Sequence, residues 1–268
     1  MTFPPTAVRS VARRIAGVLC TAAFVFAAGA QATEVKVMIS GGFSAAFQSL
    51  VPDFEKASGH HVVTIKGPSM GETPEAIPNR LARGEAADVV IMVAGAVDDL
   101  AKANKVVPGS RVDLAVSKIA MAVPLGAPPP DISTVDAFKR TLLAAKSIAY
   151  SDSASGVYLS TVLFPRLGIA DQIKGKSKMI PAEPVGAVVA RGDAQIGFQQ
   201  VSELQPFAGK VTLVGPIPAD AQKLTTFSAG LVAGSPQQTA ARQLVQYLAS
   251  PNAVPAILKS GMEPVAAK

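Results

Sequence analysis

The sequence has one cysteine in 268 residues, two histidines, no tryptophan, and only 5% aromatic residues. A lone thiol rules out a disulfide framework. With the histidines confined to the pair His60-His61, a zinc site of the Cys/His type has no support either. Neighbouring side chains at a strand entry point opposite ways, so that pair reads as a surface turn and no metal is expected. There is no P-loop and no Gly-x-Gly-x-x-Gly, which leaves ATP and dinucleotides without support. The apolar run Ile15 to Ala28 is about 14 residues, short of the roughly 20 that a membrane-spanning helix needs. Charged residues are 16% of the chain and hydrophobic ones 49%, which excludes a disordered polymer and a staple-dependent mini-protein.

What is present begins with Arg9, Arg13 and Arg14 ahead of that short run, which ends in Ala30-Gln31-Ala32. Positive start, apolar middle and small-x-small end read as an export signal, residues 1–32, cut after Ala32. Leu19 before Cys20 does not suit lipoprotein processing, while Arg13-Arg14 leaves twin-arginine export open beside the general route. Removal of the signal leaves 236 residues and takes three arginines and no acid from a formal net charge of +6, leaving +3. The basic balance then no longer argues for a nucleic-acid partner. The expected product is a soluble periplasmic protein without thiol chemistry.

Beyond the signal the pattern is strand, small-residue turn, helix, repeated. Val35 to Ile39 precedes Ser40-Gly41-Gly42 and a helix-spaced stretch to Ser58 carrying Phe47, Leu50, Val51 and Phe54. Val62 to Ile65 precedes Lys66 to Gly71 and a helix from Pro74 or Glu75 to Arg83, followed by the buried-type strand Val89 to Val93. Ser147 to Tyr150 leads into Ser151 to Gly156 and a helix to about Leu167; Glu183 to Arg191 reads as helix and Ala194 to Phe198 as strand. This is α/β architecture with parallel sheets covered on both faces. Two lobes with a cleft between them are expected, the Pro-rich patch Pro124 to Pro130 marking a crossing. Closing helices Gln237 to Ser250 and Asn252 to Ser260 should pack back on the first lobe.

Three turns, Ser40 to Ser44, Gly67 to Gly71 and Ser151 to Gly156, place small and hydroxylated residues just before helices. A helix start leaves N–H groups without intrahelical partners and carries the positive end of the dipole, so such turns suit anions. Ordinary capping explains any one of them; three together at strand carboxyl ends favour a ligand crevice. Arg80 reads either as a bidentate carboxylate anchor or as a side chain snorkelling into water. Gln199 and Gln200, two amides at a strand end, lean toward a ligand contact.

The strings Val-Met-Ile-Ser-Gly-Gly-Phe-Ser-Ala-Ala-Phe, Leu-Ala-Arg-Gly-Glu-Ala-Ala-Asp-Val-Val-Ile and Ser-Ala-Ser-Gly-Val-Tyr resemble the periplasmic molybdate-binding proteins over nearly the whole exported chain. That resemblance implies a type II periplasmic-binding fold, with residues 33–120 and 215–268 forming lobe 1, 121–214 forming lobe 2, and an oxyanion held between them without a metal or organic cofactor. Pro-Ala-Glu-Pro-Val-Gly-Ala-Val-Val, which brings Val185 to the cleft, and Ile-Gly-Phe-Gln-Gln fit the same pattern. Two pocket positions depart from it: Gly42 stands where the family has a serine and Gln200 where it has a tyrosine. The stretch from Ser69 to Asp88 also runs about five residues longer than the family's, which enlarges one wall.

Gly-Pro-Ser-Met-Gly-x-Thr-Pro-x-Ala-Ile-Pro-Asn-Arg, Tyr-Ser-Asp-Ser-Ala-Ser-Gly and Gly-Phe-Gln-Gln-Val-Ser-Glu-Leu are similar to a smaller branch, the exported aconitate isomerases. The branch implies interconversion of trans- and cis-aconitate by an allylic proton shift, without cofactor. The implied contacts are Ser40, Gly41, Gly42, Phe43, Ser69, Met70, Arg80, Ser153, Ser155, Gly156, Val185, Gln199 and Gln200, with Asp152 and Tyr158 as candidate proton carriers and Lys66 a further possibility. Tyr158 also fits a packing role. The alternatives are a receptor delivering molybdate-like oxyanions or small carboxylates to the membrane subunits of an ABC importer, and a sensor for a membrane kinase. The expected form is a monomer with a small anionic substrate.

Overall fold

The computed structural model describes residues 1–2, 32–181 and 183–265. Residues 3–31 of the expected leader, with its arginines and Cys20, lie outside the described residues. Gln31–Lys268 packs as one compact unit.

The strands are β1 (Glu34–Ile39), β2 (His61–Lys66), β3 (Val89–Val93), β4 (Val112–Ser117), β5 (Ile119–Pro124), β6 (Ile148–Ser151), β7 (Ser177–Ile180), β8 (Ile196–Gln200), β9 (Val211–Pro216), β10 (Thr225–Leu231) and β11 (Glu263–Pro264). The helices are α1 (Gly41–Ser58), α2 (Ile77–Ala82), α3 (Ala94–Lys102), α4 (Val135–Ala144), α5 (Ala154–Tyr158), α6 (Phe164–Arg166), α7 (Ala170–Ile173), α8 (Val185–Ala190), α9 (Val201–Leu204), α10 (Gln238–Leu248) and α11 (Val254–Lys259). A π-helical turn, Leu159–Leu163, joins α5 to α6.

Two sheets result, ordered β11-β4-β10-β3-β1-β2 and β7-β6-β8-β5-β9. Each has a parallel set, β2-β1-β3 in one and β7-β6-β8 in the other, as alternating strands and helices require. The all-parallel expectation fails at the other side, where β10 runs antiparallel to β3 and β4, and β5 antiparallel to β8 and β9. The reason is connectivity. Only Lys118 separates β4 from β5, so the chain enters the second sheet with no crossover helix to reverse it. The crossing is therefore at Lys118; Pro124 ends β5, and the rest of the Pro-rich patch is the loop beyond it.

Each sheet is covered on both faces. Phe43, Phe47, Leu50 and Phe54 lie on one stripe of α1 and pack with Leu244, Leu248 and Ile257 of the closing helices against β1, β3 and β10. Gly59, with φ 73°, ends α1 in the left-handed conformation and returns its N–H to Glu55 O. Ile77, Leu81, Val97 and Leu100 cover the opposite face. In the second sheet Phe138, Leu142, Leu159 and Phe164 cover one face, and Val185, Val188, Val189 and Leu204 the other.

The chain returns to the first sheet between β9 and β10, and one side chain ties the two crossings together. Gln222 accepts from Ile119 N–H through Oε1 (2.8 Å) and donates through Nε2 to Ile119 O (3.0 Å) and Ile217 O (3.3 Å). Val201 N–H donates to Lys118 O (2.9 Å), and Gln200 Nε2 donates to Thr225 Oγ1 (3.0 Å). Ile119 is fully buried, so Gln222→Ala leaves its main chain without those partners. The expected loss is about 1–3 kcal/mol of unfolding free energy, measured by urea denaturation; an unchanged midpoint refutes the clamp.

Candidate functional site

The carboxyl ends of the parallel strands in both sheets face a common gap, where α/β folds place ligands. The gap holds a cavity of about 280 Å³. From the first lobe it is lined by Gly41 and Ser44 of α1 and by Lys66, Gly67, Pro68 and Glu75 after β2; from the second by Ser151, Asp152 and Ser153, by Glu183 and Pro184, and by Gln199 and Glu203. Concavities of about 460 Å³ near Asp88 and Lys105 and about 740 Å³ along the edge strand β7 are larger. The first lies at the amino-terminal end of β1, and neither gathers the starts of helices from both lobes. The 280 Å³ cavity equals roughly nine waters at about 30 Å³ each, more room than a five-atom tetrahedral oxyanion fills.

Glu203 dominates the chemistry. It lies on the short α9 directly after β8, and its Oε1 accepts a hydrogen bond from Gln199 Nε2 (3.1 Å). Gln199 Oε1 in turn accepts from Val185 N–H (2.9 Å), so one buried amide fixes both the start of α8 and the carboxyl. A Cβ built on Gly41 would overlap Glu203 Oε1; the first residue of α1 must be glycine for the carboxyl to sit there. Burial raises the Glu203 pKa to about 7, the Asp152 charge adds to the rise, and bonds from the Gln200 main chain and the Gln199 amide offset part of it. A carboxyl that titrates near neutrality can both take and return a proton.

Of the residues expected at the site, Gly41, Asp152, Ser153 and Gln199 line the cavity, as does Lys66. The others surround it or lie apart. Ser40 is buried in extended conformation and makes no capping bond with its side chain. Gly42 is packed under Phe227, whose ring fills the place a Cβ would take, and Phe43 is core. Ser69 Oγ accepts from Val93 N–H (3.1 Å), bracing the loop after β2, and Met70 follows it outside the lining. Ser155 Oγ bonds Ser151 Oγ (3.0 Å), and Gly156 lets the helix start lie on the Ser151 carbonyl. Val185 presents its main chain to Gln199, and Gln200 reaches Thr225.

Two expectations are corrected. Arg80 is not brought to the cavity: its Nη1 bonds Glu85 Oε1 (2.6 Å) and its Nε donates to Glu75 O (3.0 Å), both within its own loop and helix. Tyr158 is buried in the second core, donating its hydroxyl to Ala221 O (3.0 Å) with Lys223 Nζ 5.5 Å from its ring centre. Glu203 was overlooked. Its signal was an acid just past the carboxyl end of a buried strand, four residues after Gln199.

The loop after β2 reaches the other lobe: a Cβ on Gly71 would lie 3.5 Å from Asp152 O. Asn79 Nδ2 holds that loop by donating to Thr73 O (2.8 Å) and Gly71 O (3.2 Å). Among the described residues no group of three or more His, Cys, Asp or Glu is placed to hold a metal ion.

A family model for bacterial extracellular solute-binding proteins matches residues 35–263. The chain is 53% identical over 252 residues to a Pseudomonas protein named aconitate isomerase, covering 94% of this chain and 96% of that one. It is 28% identical over 255 residues to the molybdate-binding protein ModA of Azotobacter vinelandii, covering 91% and 95%. Among solved structures, the periplasmic molybdate-binding protein of Azotobacter vinelandii matches with a TM-score of 0.70 at 22% identity, covering 87% of this chain and all of that one. The sulfate-binding protein SubI of Mycobacterium tuberculosis matches at 0.66 and 20% identity, covering 87% of each.

The raised Glu203 pKa has a consequence for stability. The native state keeps the proton that the unfolded chain releases near its ordinary value of 4.5, so stability falls as pH rises from there to about 7 and the loss is complete above. Glu203→Gln is therefore expected to raise the melting temperature at pH ~8, a gain of roughly 1–3 kcal/mol, and to leave it unchanged near pH 4. Equal effects at both pH values in a thermal melt refute the buried charge.

Proposed function

The chain belongs to the bacterial extracellular solute-binding proteins, and from that premise we propose that it is a periplasmic isomerase that interconverts trans-aconitate and cis-aconitate in the cleft between its lobes. The observation that carries this reading is the 53% identity, along nearly the full length of both chains, to the protein named aconitate isomerase. The cleft agrees with it. Phe227 packed on Gly42 removes the place of a hydroxyl that a tight oxyanion cage would use, and the cavity exceeds what a tetrahedral anion fills.

The reaction needs no change of oxidation state. A base takes a proton from the substrate's methylene carbon, the electron pair moves to form a new double bond beside it, and the former alkene carbon receives a proton. The carbanion formed on the way is delocalised into a carboxylate. Its charge suits a site where helices begin: the N–H groups of the first turn of α1, those of the helix that starts at Ala154, and Lys66, the one cation among the described lining residues. Glu183 adds little opposing charge because it is paired with Arg191. Ser44, Ser151 and Ser153 supply hydroxyls to the carboxylates. In this reading the protein works as a monomer, released by cleavage of residues 1–32, with no organic cofactor.

The purified protein is expected to convert either isomer into the same equilibrium mixture between about pH 6 and about pH 9, followed by ultraviolet absorbance or chromatography. No conversion, together with a rise in melting temperature on adding molybdate, supports instead an ABC-importer receptor for oxyanions. Arg80→Ala is expected to change trans-aconitate affinity less than about twofold, since its bonds go to the partly buried Glu85 and to Glu75 O and not into the cavity. Calorimetric titration checks it, and a tenfold loss restores Arg80 to the binding site.

A further inference from the structure

We propose, on the isomerase reading above, that the Glu203 carboxylate is the catalytic base that takes the methylene proton, and that the Gln199 amide is the positioning residue that aims it. Four observations converge. Glu203 lines the inter-lobe cavity. Its Oε1 lies over Gly41, at the start of the 18-residue helix α1, where a side chain would displace it. Gln199 holds it through Nε2 while its own Oε1 is engaged by Val185 N–H, so the amide cannot turn over without breaking both bonds. Glu203 touches both lobes, lying against Gly41 of the first and bonded to Gln199 of the second.

In the step, the carbon–hydrogen bond of the substrate's methylene breaks and an oxygen–hydrogen bond forms on Glu203. The electron pair left behind becomes part of the delocalised anion, and the proton returned from Glu203 to the far carbon of the old double bond completes the shift and restores the carboxylate. Nothing is oxidised or reduced. The charged groups facing Glu203 across the cavity are Asp152 and the Arg191-paired Glu183 from the second lobe, and Lys66 and Glu75 from the first. A carboxyl titrating near 7 is a far stronger base than an exposed one while remaining largely available at neutral pH.

The test compares the wild-type protein with Glu203→Gln, Glu203→Asp and Gln199→Met. Glu203→Gln is expected to lower kcat by at least about 100-fold, while trans-aconitate still raises its melting temperature, showing a folded, binding protein. Glu203→Asp, with its carboxyl drawn back by one methylene, is expected to keep more activity than the amide. In wild type kcat/KM should fall as pH drops below about 7, because the base must be ionised. Gln199→Met removes a donor that favours the ionised carboxylate, so its acid limb should move to higher pH with KM changed less than about threefold. Near wild-type turnover by Glu203→Gln overturns the assignment and leaves the isomerase reading standing; no turnover by wild type overturns both. An acid limb unmoved in Gln199→Met overturns the positioning role.

Discussion

The carboxyl of Glu203 and the α-carbon of Gly41 occupy adjoining space, one on the second lobe and one on the first. That contact sets the terms for the rest of the site. It requires glycine at the head of α1 for the carboxyl to sit there and puts an ionisable, partly buried group between the two lobes. It also leaves the group's charge dependent on bonds from the Gln200 main chain and the Gln199 amide and on the approach of Asp152. A side chain at position 41 would push the Glu203 carboxyl out of that place.

The location of the cavity follows from connectivity. Parallel β-α-β units send every strand-to-helix turn to one end of a sheet, and the crossing at Lys118 turns those ends of the two sheets toward each other. The antiparallel strands β10 and β5, which carry the chain back and forth, need main-chain partners in a narrow buried region. Gln222 serves as a short stand-in for a strand there, satisfying the N–H and the carbonyl of Ile119 together. The larger hollows near Asp88 and along β7 lack this convergence.

Much of the architecture was legible in the chain. The alternation of Val35–Ile39, the glycine turn and the Phe47–Phe54 stripe announces β1 and α1 because strand and helix periods differ. The hydroxyl-rich turns at Ser40, Gly67 and Ser151 all lie at or beside the cavity. Legibility failed where partners lie close in sequence or where elements are very short. Arg80 looked poised for a ligand, but Glu85, only five residues on, captures it. Tyr158 carries a hydroxyl that any sequence reading keeps in play, and only packing reveals Ala221 O as its acceptor. Glu203 sits on a four-residue helix with no periodicity of its own, so neither its burial nor its closeness to Gly41 could be inferred from spacing.

The ring of Phe227 seated on Gly42 bears on how such a cleft changes ligand over time. A hydroxyl at position 42, as the molybdate-binding relatives are expected to carry, collides with the ring, and trimming the ring first leaves a hole in the core costing on the order of 3–5 kcal/mol. Each single exchange is thus worse than either endpoint. A larger residue at position 42 is therefore tied to a smaller one at position 227, so the two positions are expected to change together.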